Sequence, residues 1–128
     1  MGGTILFVED HLFSAKLTIH LLEQRMSYHL WWVQTGLEAE QVTETMNPVL
    51  FLLDYRLPDC TGLQLADRLH ALAGRETIPI LLLSADLPDK DLEEQLHVRQ
   101  IIGMRKPFVP EELVKIISLL VQAHTSTW

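Results

Sequence analysis

Short apolar runs alternate with helical patterns along the whole 128-residue chain, and this alternation limits the possible folds more than any other feature. A short, unbroken apolar run is typical of a strand buried on both faces. Strands that alternate with helices form a parallel sheet, with right-handed crossovers and helices on both faces. We therefore predict an α/β fold built on a doubly wound, five-stranded parallel sheet. The predicted strands are Thr4–Val8, Tyr28–Val33, Val49–Asp54, Ile78–Leu83 and a weaker one within Val98–Met104.

Between these runs, apolar residues recur at three- and four-residue steps, which is the spacing of one helix face. The stripe predicted for the first helix consists of Leu12, Ala15, Ile19, Leu22 and Met26. The other helices are predicted to begin at Gly36, to run from about Gly62 to Ala73, to lie around Leu92 and Leu96, and to begin near Pro110. A polar tail, His124–Trp128, is expected after the last helix.

Length and composition predict one globular domain, residues 1–128, with a core over about residues 4–123. A net charge of −7 argues against nucleic-acid binding, because such domains are basic. The single cysteine, Cys60, excludes an internal disulfide and suggests a reducing compartment. The sequence shows no signal peptide and no transmembrane segment, so a cytoplasmic location is predicted. Because the sequence ends soon after the fifth predicted helix, we expect no output domain within it, and the domain is either a single-domain protein or part of a larger chain.

Acidic residues follow two of the predicted strands. Glu9 and Asp10 come directly after the first strand, and Asp54 ends the third. The carboxyl ends of parallel strands share one edge of the sheet, where ligands bind in open α/β folds. Three carboxylates at this edge would repel one another and raise their pKa values, which a divalent cation would relieve. Mg2+ is favoured because it takes oxygen ligands and typically uses one or two carboxylates.

Two further side chains are expected at the same edge. Ser84 follows the fourth strand and offers a hydroxyl donor, and Lys106 follows the fifth and offers a compact positive charge. A carboxylate nucleophile, a metal, a lysine and a hydroxyl form a site for phosphoryl transfer to Asp54. Donors of this kind stabilise the charge that develops on phosphoryl oxygens.

These motifs resemble those of the CheY-like receiver domains of two-component response regulators. Glu9-Asp10 resembles the acidic pair of that family, and the segment Asp54–Gly62, with its Leu57-Pro58, resembles the acceptor segment. Ser84-Ala85 resembles the hydroxyl residue with its small neighbour, and Lys106-Pro107-Phe108 resembles the family's Lys-Pro-Phe. The resemblance covers essentially the whole chain. It implies a flavodoxin-like fold with strand order 2-1-3-4-5.

The resemblance also implies chemistry and partners. Asp54 would take a phosphoryl group from a phosphohistidine on a sensor histidine kinase or a histidine phosphotransfer protein, and would signal to a downstream protein through a conformational change. Mg2+ would bind to Asp10, Asp54, the main-chain carbonyl of Arg56 and, through water, Glu9. A cis Lys106-Pro107 peptide is implied as well. No turnover of external substrates, no nucleic acid and no membrane contact are expected, and homodimer formation is left open.

The sequence departs from the family in one position and carries an unusual pair in another. Gly103 stands where the family usually has a Tyr or Phe that moves when the hydroxyl residue swings toward the phosphate. Its presence puts the usual route of signal transmission in doubt, but not the phosphorylation chemistry. Arg56 and Asp86 flank the site, and we expect them to pair across its mouth and to slow the approach of hydrolytic water.

Other interpretations remain open at the level of sequence. Asp54 can cap the next helix, Glu9-Asp10 can form a solvated loop, and Ser84 and Lys106 can be ordinary turn and surface residues. A degenerate receiver that acts as a phosphorylation-independent binding module is one alternative, which Gly103 slightly favours. A Mg2+-dependent phosphatase with an aspartyl-phosphate intermediate is another, but Arg56 occupies the position where its second acid is expected.

Overall fold

Within residues 2–125, which the computed structural model describes, the chain forms one parallel sheet with helices on both faces. The strand order is β2-β1-β3-β4-β5, so the predicted flavodoxin-like topology is confirmed. The strands are β1 (Thr4–Val8), β2 (His29–Val33), β3 (Leu50–Asp54), β4 (Ile80–Ser84) and β5 (Ile102–Arg105). The helices are α1 (Leu12–Arg25), α2 (Gly36–Thr43), α3 (Gly62–His70), α4 (Lys90–Val98) and α5 (Pro110–Thr125).

The central strand β3 is buried along its whole length and anchors two apolar layers. Successive strand residues point to opposite faces, so Leu52 packs with α1 and α5 while Leu53 packs with α2, α3 and α4. Burying one such leucine contributes about 1.5–3 kcal/mol. The strand end that carries Asp54 is therefore held firmly by the core.

The start of α3 brings the chain back onto the sheet directly after the loop that follows Asp54. Thr61 and Gln64 form a capping box: the Thr61 hydroxyl accepts from the Gln64 amide at 3.2 Å, and the Gln64 side chain accepts from the Thr61 amide at 3.0 Å. Gly62 lies so close to β3 that a Cβ would be 2.7 Å from the carbonyl oxygen of Asp54. Only glycine fits this approach without movement of the backbone.

The buried stripe of α1 differs from the prediction. Leu12 is 52% exposed, whereas Thr18 is buried beside Ala15 and Leu22. Thr18 lies three residues after Ala15 and four before Leu22, so it belongs to the same helix face although it is polar. Leu12 is the first residue of α1, and the helix begins with this side chain exposed.

Several predicted boundaries also move. Helix α3 ends at His70 rather than Ala73, and β4 begins at Ile80, although Ile78 is buried. Strand β5 runs over Ile102–Arg105, because Val98 ends α4 and a turn follows it. Helix α5 continues through Thr125, so the predicted polar tail begins inside the helix; residues 126–128 lie outside the described range. In residues 2–125, no helix has both the length and the apolar character needed to cross a bilayer.

Candidate functional site

Four acidic and basic side chains meet at the carboxyl edge of the sheet. Glu9 and Asp10 follow β1, Asp54 ends β3, and Lys106 follows β5. One carboxylate oxygen from each of the three acids lies within 4.8 Å of the others. Glu9 and Asp54 are buried, whereas Asp10 is exposed to solvent. The topology thus brings together the charged groups that the sequence predicted to converge.

Lys106 joins two of the carboxylates. Its Nζ contacts Oδ1 of Asp54 at 2.5 Å and lies 3.3 Å from Oε1 of Glu9. The other carboxylate oxygen of Glu9 accepts a hydrogen bond from the His11 amide at 3.2 Å. Both oxygens of Glu9 therefore have partners within the protein, and the buried carboxylate is held in one orientation.

The charges in this cluster shift the pKa values of its central pair. Burial raises the pKa of Asp54, the Lys106 ammonium lowers it, and the nearby charges of Glu9 and Asp10 raise it, so that the net shift is upward. Burial lowers the pKa of Lys106, but its hydrogen bond and charge attraction to Asp54, with a contribution from Glu9, raise it above the ordinary value. One ammonium cannot neutralise three carboxylates, so the site keeps an excess of negative charge.

The donor set fits a hard divalent cation. Three carboxylates supply oxygen ligands within a few ångströms of one another, and no described histidine or cysteine belongs to the group. A cation at this position would favour the ionised form of Asp54, which burial and its acidic neighbours oppose. The acidic cluster can therefore hold a metal ion, and oxygen-only coordination is typical of Mg2+.

The main chain of Ser84 is hydrogen-bonded to Lys106 at the site, whereas its hydroxyl is hydrogen-bonded to Asp86. Its carbonyl oxygen accepts from the Lys106 amide at 3.0 Å, which ties the ends of β4 and β5 together. The Ser84 Oγ accepts from the Asp86 amide at 3.0 Å and donates to Asp86 Oδ2 at 3.3 Å. Sequence reasoning placed Ser84 correctly at the strand end, but it did not foresee this local turn.

Arg56 and Asp86 form the predicted pair at the rim of the site. The guanidinium donates from Nε to Oδ2 and from Nη2 to Oδ1, each at 3.0 Å, so the contact is bidentate. The hydrogen bonds from Arg56 lower the pKa of Asp86. The guanidinium also lies 5.8 Å from the ring centre of Tyr55. The role of the Arg56 main-chain carbonyl as a metal ligand stays a prediction, as does slower hydrolysis.

The space beside Gly103, where the family usually has an aromatic side chain, is occupied by other residues of the core. A Cβ at this position would lie 2.6 Å from Cδ1 of Leu96 and 3.0 Å from Cδ1 of Leu87. The two leucines fill the space next to β5 in which a larger side chain would begin. The Lys106-Pro107 peptide is cis, as predicted.

Two contacts that sequence reasoning missed support the site from outside. The Asp59 carboxylate accepts from the amides of Gly36 and Leu37, each at 2.9 Å, and thereby caps α2. The indole Nε1 of Trp32 donates to the carbonyl oxygen of Glu9 at 2.8 Å. Both contacts join residues more than twenty positions apart in the chain, so no local pattern signals them.

Comparison with known proteins identifies the class. The family model of the response regulator receiver domain matches residues 5–118, so the chain belongs to this family. It is a receiver domain of two-component signalling, with the flavodoxin-like fold of that class and a site consistent with a phosphoacceptor role. Receiver domains are signalling modules and are generally not classed as enzymes.

Individual relatives agree with this class. The chain is 32% identical over 114 residues to the phosphate regulon transcriptional regulatory protein PhoB of Pseudomonas aeruginosa, covering 89% of this chain and 49% of PhoB. It thus spans about half the length of that relative. A receiver domain protein from Methanospirillum hungatei has the same fold, with a TM-score of 0.90, 21% identity and full coverage of both chains.

A second solved structure bears on the metal. The receiver domain of the sensor histidine kinase PA1611 from Pseudomonas aeruginosa superposes with a TM-score of 0.86 and 26% identity, covering 95% of this chain and 99% of that one. It was crystallised with a magnesium ion coordinated in its active-site cleft. The acidic cluster of the present chain is of a kind that can bind such an ion.

Proposed function

We propose that the domain accepts a phosphoryl group on Asp54, with Lys106 and Ser84 as donors to the phosphoryl oxygens. The observation that carries the proposal is the direct contact between the buried Asp54 carboxylate and the Lys106 ammonium at the carboxyl end of the central strand. A buried acid with a raised pKa and a charged partner in a cleft is typical of a functional site.

The transfer conserves atoms and charge. An oxygen of the ionised Asp54 attacks phosphorus, a phosphorus–oxygen bond forms, and the phosphorus–nitrogen bond of a phosphohistidine breaks with its electron pair going to the imidazole. Lys106 stabilises the negative charge on the phosphoryl oxygens, because its ammonium already lies beside the attacking carboxylate. Hydrolysis reverses the state when water attacks phosphorus and inorganic phosphate leaves.

The cofactor of this proposal is Mg2+, which Asp10, Asp54 and the main-chain carbonyl of Arg56 would hold, and Glu9 would contact it through water. When bound, it neutralises carboxylate and phosphoryl charge. Glu9 suits an indirect role, because Lys106 and the His11 amide already occupy its two oxygens.

The phosphodonor is a protein, either a sensor histidine kinase or a histidine phosphotransfer protein. Three apolar side chains at the start of α1, Leu12, Phe13 and Leu17, are 52%, 71% and 56% exposed next to Asp10. Exposed apolar groups beside a reactive site mark a surface for a protein partner. A cytoplasmic location follows from a phosphodonor of this kind. An unidentified downstream partner protein belongs to the same proposal, and homodimer formation stays open.

Treatment with acetyl phosphate and Mg2+, followed by intact-mass measurement, tests the proposal. We expect one phosphoryl adduct that requires Mg2+ and disappears in Asp54→Asn. Asp89→Asn is the matched control, because Asp89 is exposed and its side chain makes no capping hydrogen bond. Absence of an adduct at every Mg2+ concentration would support a binding module instead. Rapid turnover of diverse phosphomonoesters would support a phosphatase.

A further inference from the structure

A chain of hydrogen bonds leads from the rim of the site to the hydroxyl that the phosphoryl group needs. Arg56 donates to both carboxylate oxygens of Asp86, and Oδ2 of Asp86 accepts a hydrogen bond from the Ser84 hydroxyl at 3.3 Å. The Asp86 amide closes the loop by donating to the Ser84 Oγ at 3.0 Å. We call these three residues the rim chain.

The Ser84 hydroxyl has one proton to donate. Phosphoryl oxygens accept hydrogen bonds but do not donate them, so the proton that now goes to Asp86 is the one the phosphoryl group would use. Ser84 is 2% exposed, so water is a poor substitute partner at this position. The two hydrogen bonds therefore exclude each other.

Arg56 makes the present arrangement more stable than a lone serine–aspartate contact. Its planar guanidinium matches the two carboxylate oxygens in parallel, which is the preferred geometry for this pair. The carboxylate of Asp86 is therefore kept in the position from which it accepts the serine proton.

We propose that Asp86 is a positioning residue that withholds the Ser84 hydroxyl from the phosphoryl group, and that Arg56 locks it in place. This inference rests on the proposed phosphorylation of Asp54. Formation of the phosphorylated state then requires Ser84 to leave Asp86. The rim chain opposes phosphorylation by favouring the unphosphorylated conformation, an effect distinct from the shielding of the site against hydrolytic water.

Binding of beryllium fluoride, a phosphoryl analogue that is not hydrolysed, separates the two effects. Its affinity in saturating Mg2+ depends on the conformational equilibrium and not on water access. We would measure it by isothermal titration for the wild type, Asp86→Ala and Arg56→Ala, each with Ser84 intact and in the Ser84→Ala background. Thermal melts would verify that every variant is folded.

We expect Asp86→Ala to bind the analogue about tenfold more tightly than the wild type, because the analogue then no longer competes with a charged carboxylate for the Ser84 hydroxyl. Arg56→Ala should bind it about threefold more tightly, since the Asp86 carboxylate is then no longer fixed where it accepts the hydrogen bond from Ser84. In the Ser84→Ala background, both substitutions should change affinity by less than about twofold. Asp89→Ala removes an exposed carboxylate three residues further along the chain and controls for the general change in charge.

Each other result overturns the inference. Weaker binding by Arg56→Ala would mean that the guanidinium contacts the analogue directly. Tighter binding by Asp86→Ala that persists without the Ser84 hydroxyl would mean that Asp86 acts by charge alone. Unchanged affinity in both variants would leave the rim chain a surface ion pair. Failure of the wild type to bind the analogue would overturn the proposed function together with this inference.

Discussion

Lys106 Nζ lies 3.3 Å from Oε1 of Glu9 while it also contacts Asp54, so a single ammonium group bridges two buried carboxylates that the sheet brings together. The lysine side chain is 26% exposed and the Glu9 side chain only 4%. A cation and the ammonium would thus share the same carboxylates. We expect the balance between them to determine how tightly the site binds a metal ion and how fast Asp54 is phosphorylated.

Replacement of Lys106 by methionine should separate these two properties. Without the ammonium, the site has more uncompensated negative charge, so Mg2+ should bind on the order of tenfold more tightly. Phosphorylation by acetyl phosphate should slow by about a hundredfold, because a preorganised charge donor is lost. Lys115→Met, on the exposed side of α5, is the control. Unchanged phosphorylation in Lys106→Met would contradict the role given to the lysine. Titration of Mg2+ and the rate of adduct formation are the measurements.

Asp54→Asn should stabilise the metal-free domain at neutral pH. Because the folded-state pKa of Asp54 is raised by burial, the folded protein binds a proton more readily than the unfolded chain. Stability therefore falls as pH rises through that raised pKa, and the deficit relative to asparagine persists above it. At acid pH, where both states are protonated, the difference should vanish.

Mg2+ should reverse this order. At a concentration of one hundred times its Kd, it should stabilise the wild type by about 2.7 kcal/mol. Asp54→Asn should gain much less, because it lacks one carboxylate ligand. Thermal melts in chelator and in Mg2+, at several pH values, provide the comparison. A wild type more stable than Asp54→Asn in chelator at neutral pH would contradict a raised pKa of Asp54 in the folded domain.

The Asp59 cap of α2 should be a pH-dependent element of stability. Burial raises the pKa of this carboxyl, but hydrogen bonds from the amides of Gly36 and Leu37 lower it more, so the net shift is downward. The cap is fully present above the unfolded-state pKa of about 3.9 and is lost as pH falls through the lower folded-state pKa.

Asp59→Ala should therefore cost about 1 kcal/mol of unfolding free energy at neutral pH and less at low pH. Asp89→Ala is the natural comparison, because Asp89 stands at the N-cap of α4 without a side-chain hydrogen bond. It should change stability by less than about 0.5 kcal/mol. Urea unfolding at two pH values measures both. Equal losses in the two variants would show that the contact with α2 contributes nothing.

Two glycines near the site should respond differently to alanine. At Gly62, a Cβ would be 2.7 Å from the carbonyl oxygen of Asp54 and 3.1 Å from Cα of Tyr55, both rigid backbone atoms. At Gly103, the nearest atoms are the methyl ends of Leu96 and Leu87, which can turn aside.

Gly62→Ala should cost about 2–3 kcal/mol and also disturb metal binding, because it displaces the strand end that carries Asp54. Gly103→Ala should cost less than about 1 kcal/mol and leave Mg2+ affinity unchanged. A second substitution, Leu96→Ala, should relieve the strain of a larger residue at position 103. Denaturant unfolding and Mg2+ titration measure both effects. Equal destabilisation of the two glycine variants would contradict the steric argument.

The sheet was predictable because its inner strands are continuous apolar runs, a pattern that can be recognised without knowledge of the tertiary structure. Strands β3 and β4 consist of apolar residues at nearly every position and are buried on both faces. Strand β5 lies at the edge, with Ile102 45% exposed, so its pattern is weaker and its predicted position was shifted toward the N terminus. Edge strands lack the continuous apolar run on which the prediction depended.

The site was predictable only as a set of positions at strand ends. The convergence of Glu9, Asp54 and Lys106 follows from topology alone. Two features could not be predicted: the hydrogen bond between Ser84 and Asp86, and the packing of Leu87 and Leu96 next to Gly103. Both depend on loop conformation and side-chain rotamers, which periodicity does not encode. The predicted stripe of α1 was partly wrong for a related reason, since tertiary packing and not spacing alone decides that Leu12 is exposed and Thr18 is buried.

The hydrogen bond from the Trp32 indole to the Glu9 carbonyl gives the domain an internal optical probe. Indole emission responds to the strength of its hydrogen bond and to nearby charge. Glu9, whose carbonyl accepts from the indole, also contacts Lys106 through its carboxylate. Events at the site should therefore change the emission spectrum without any added label, and Trp32→Phe would identify the signal among the three tryptophans of the chain.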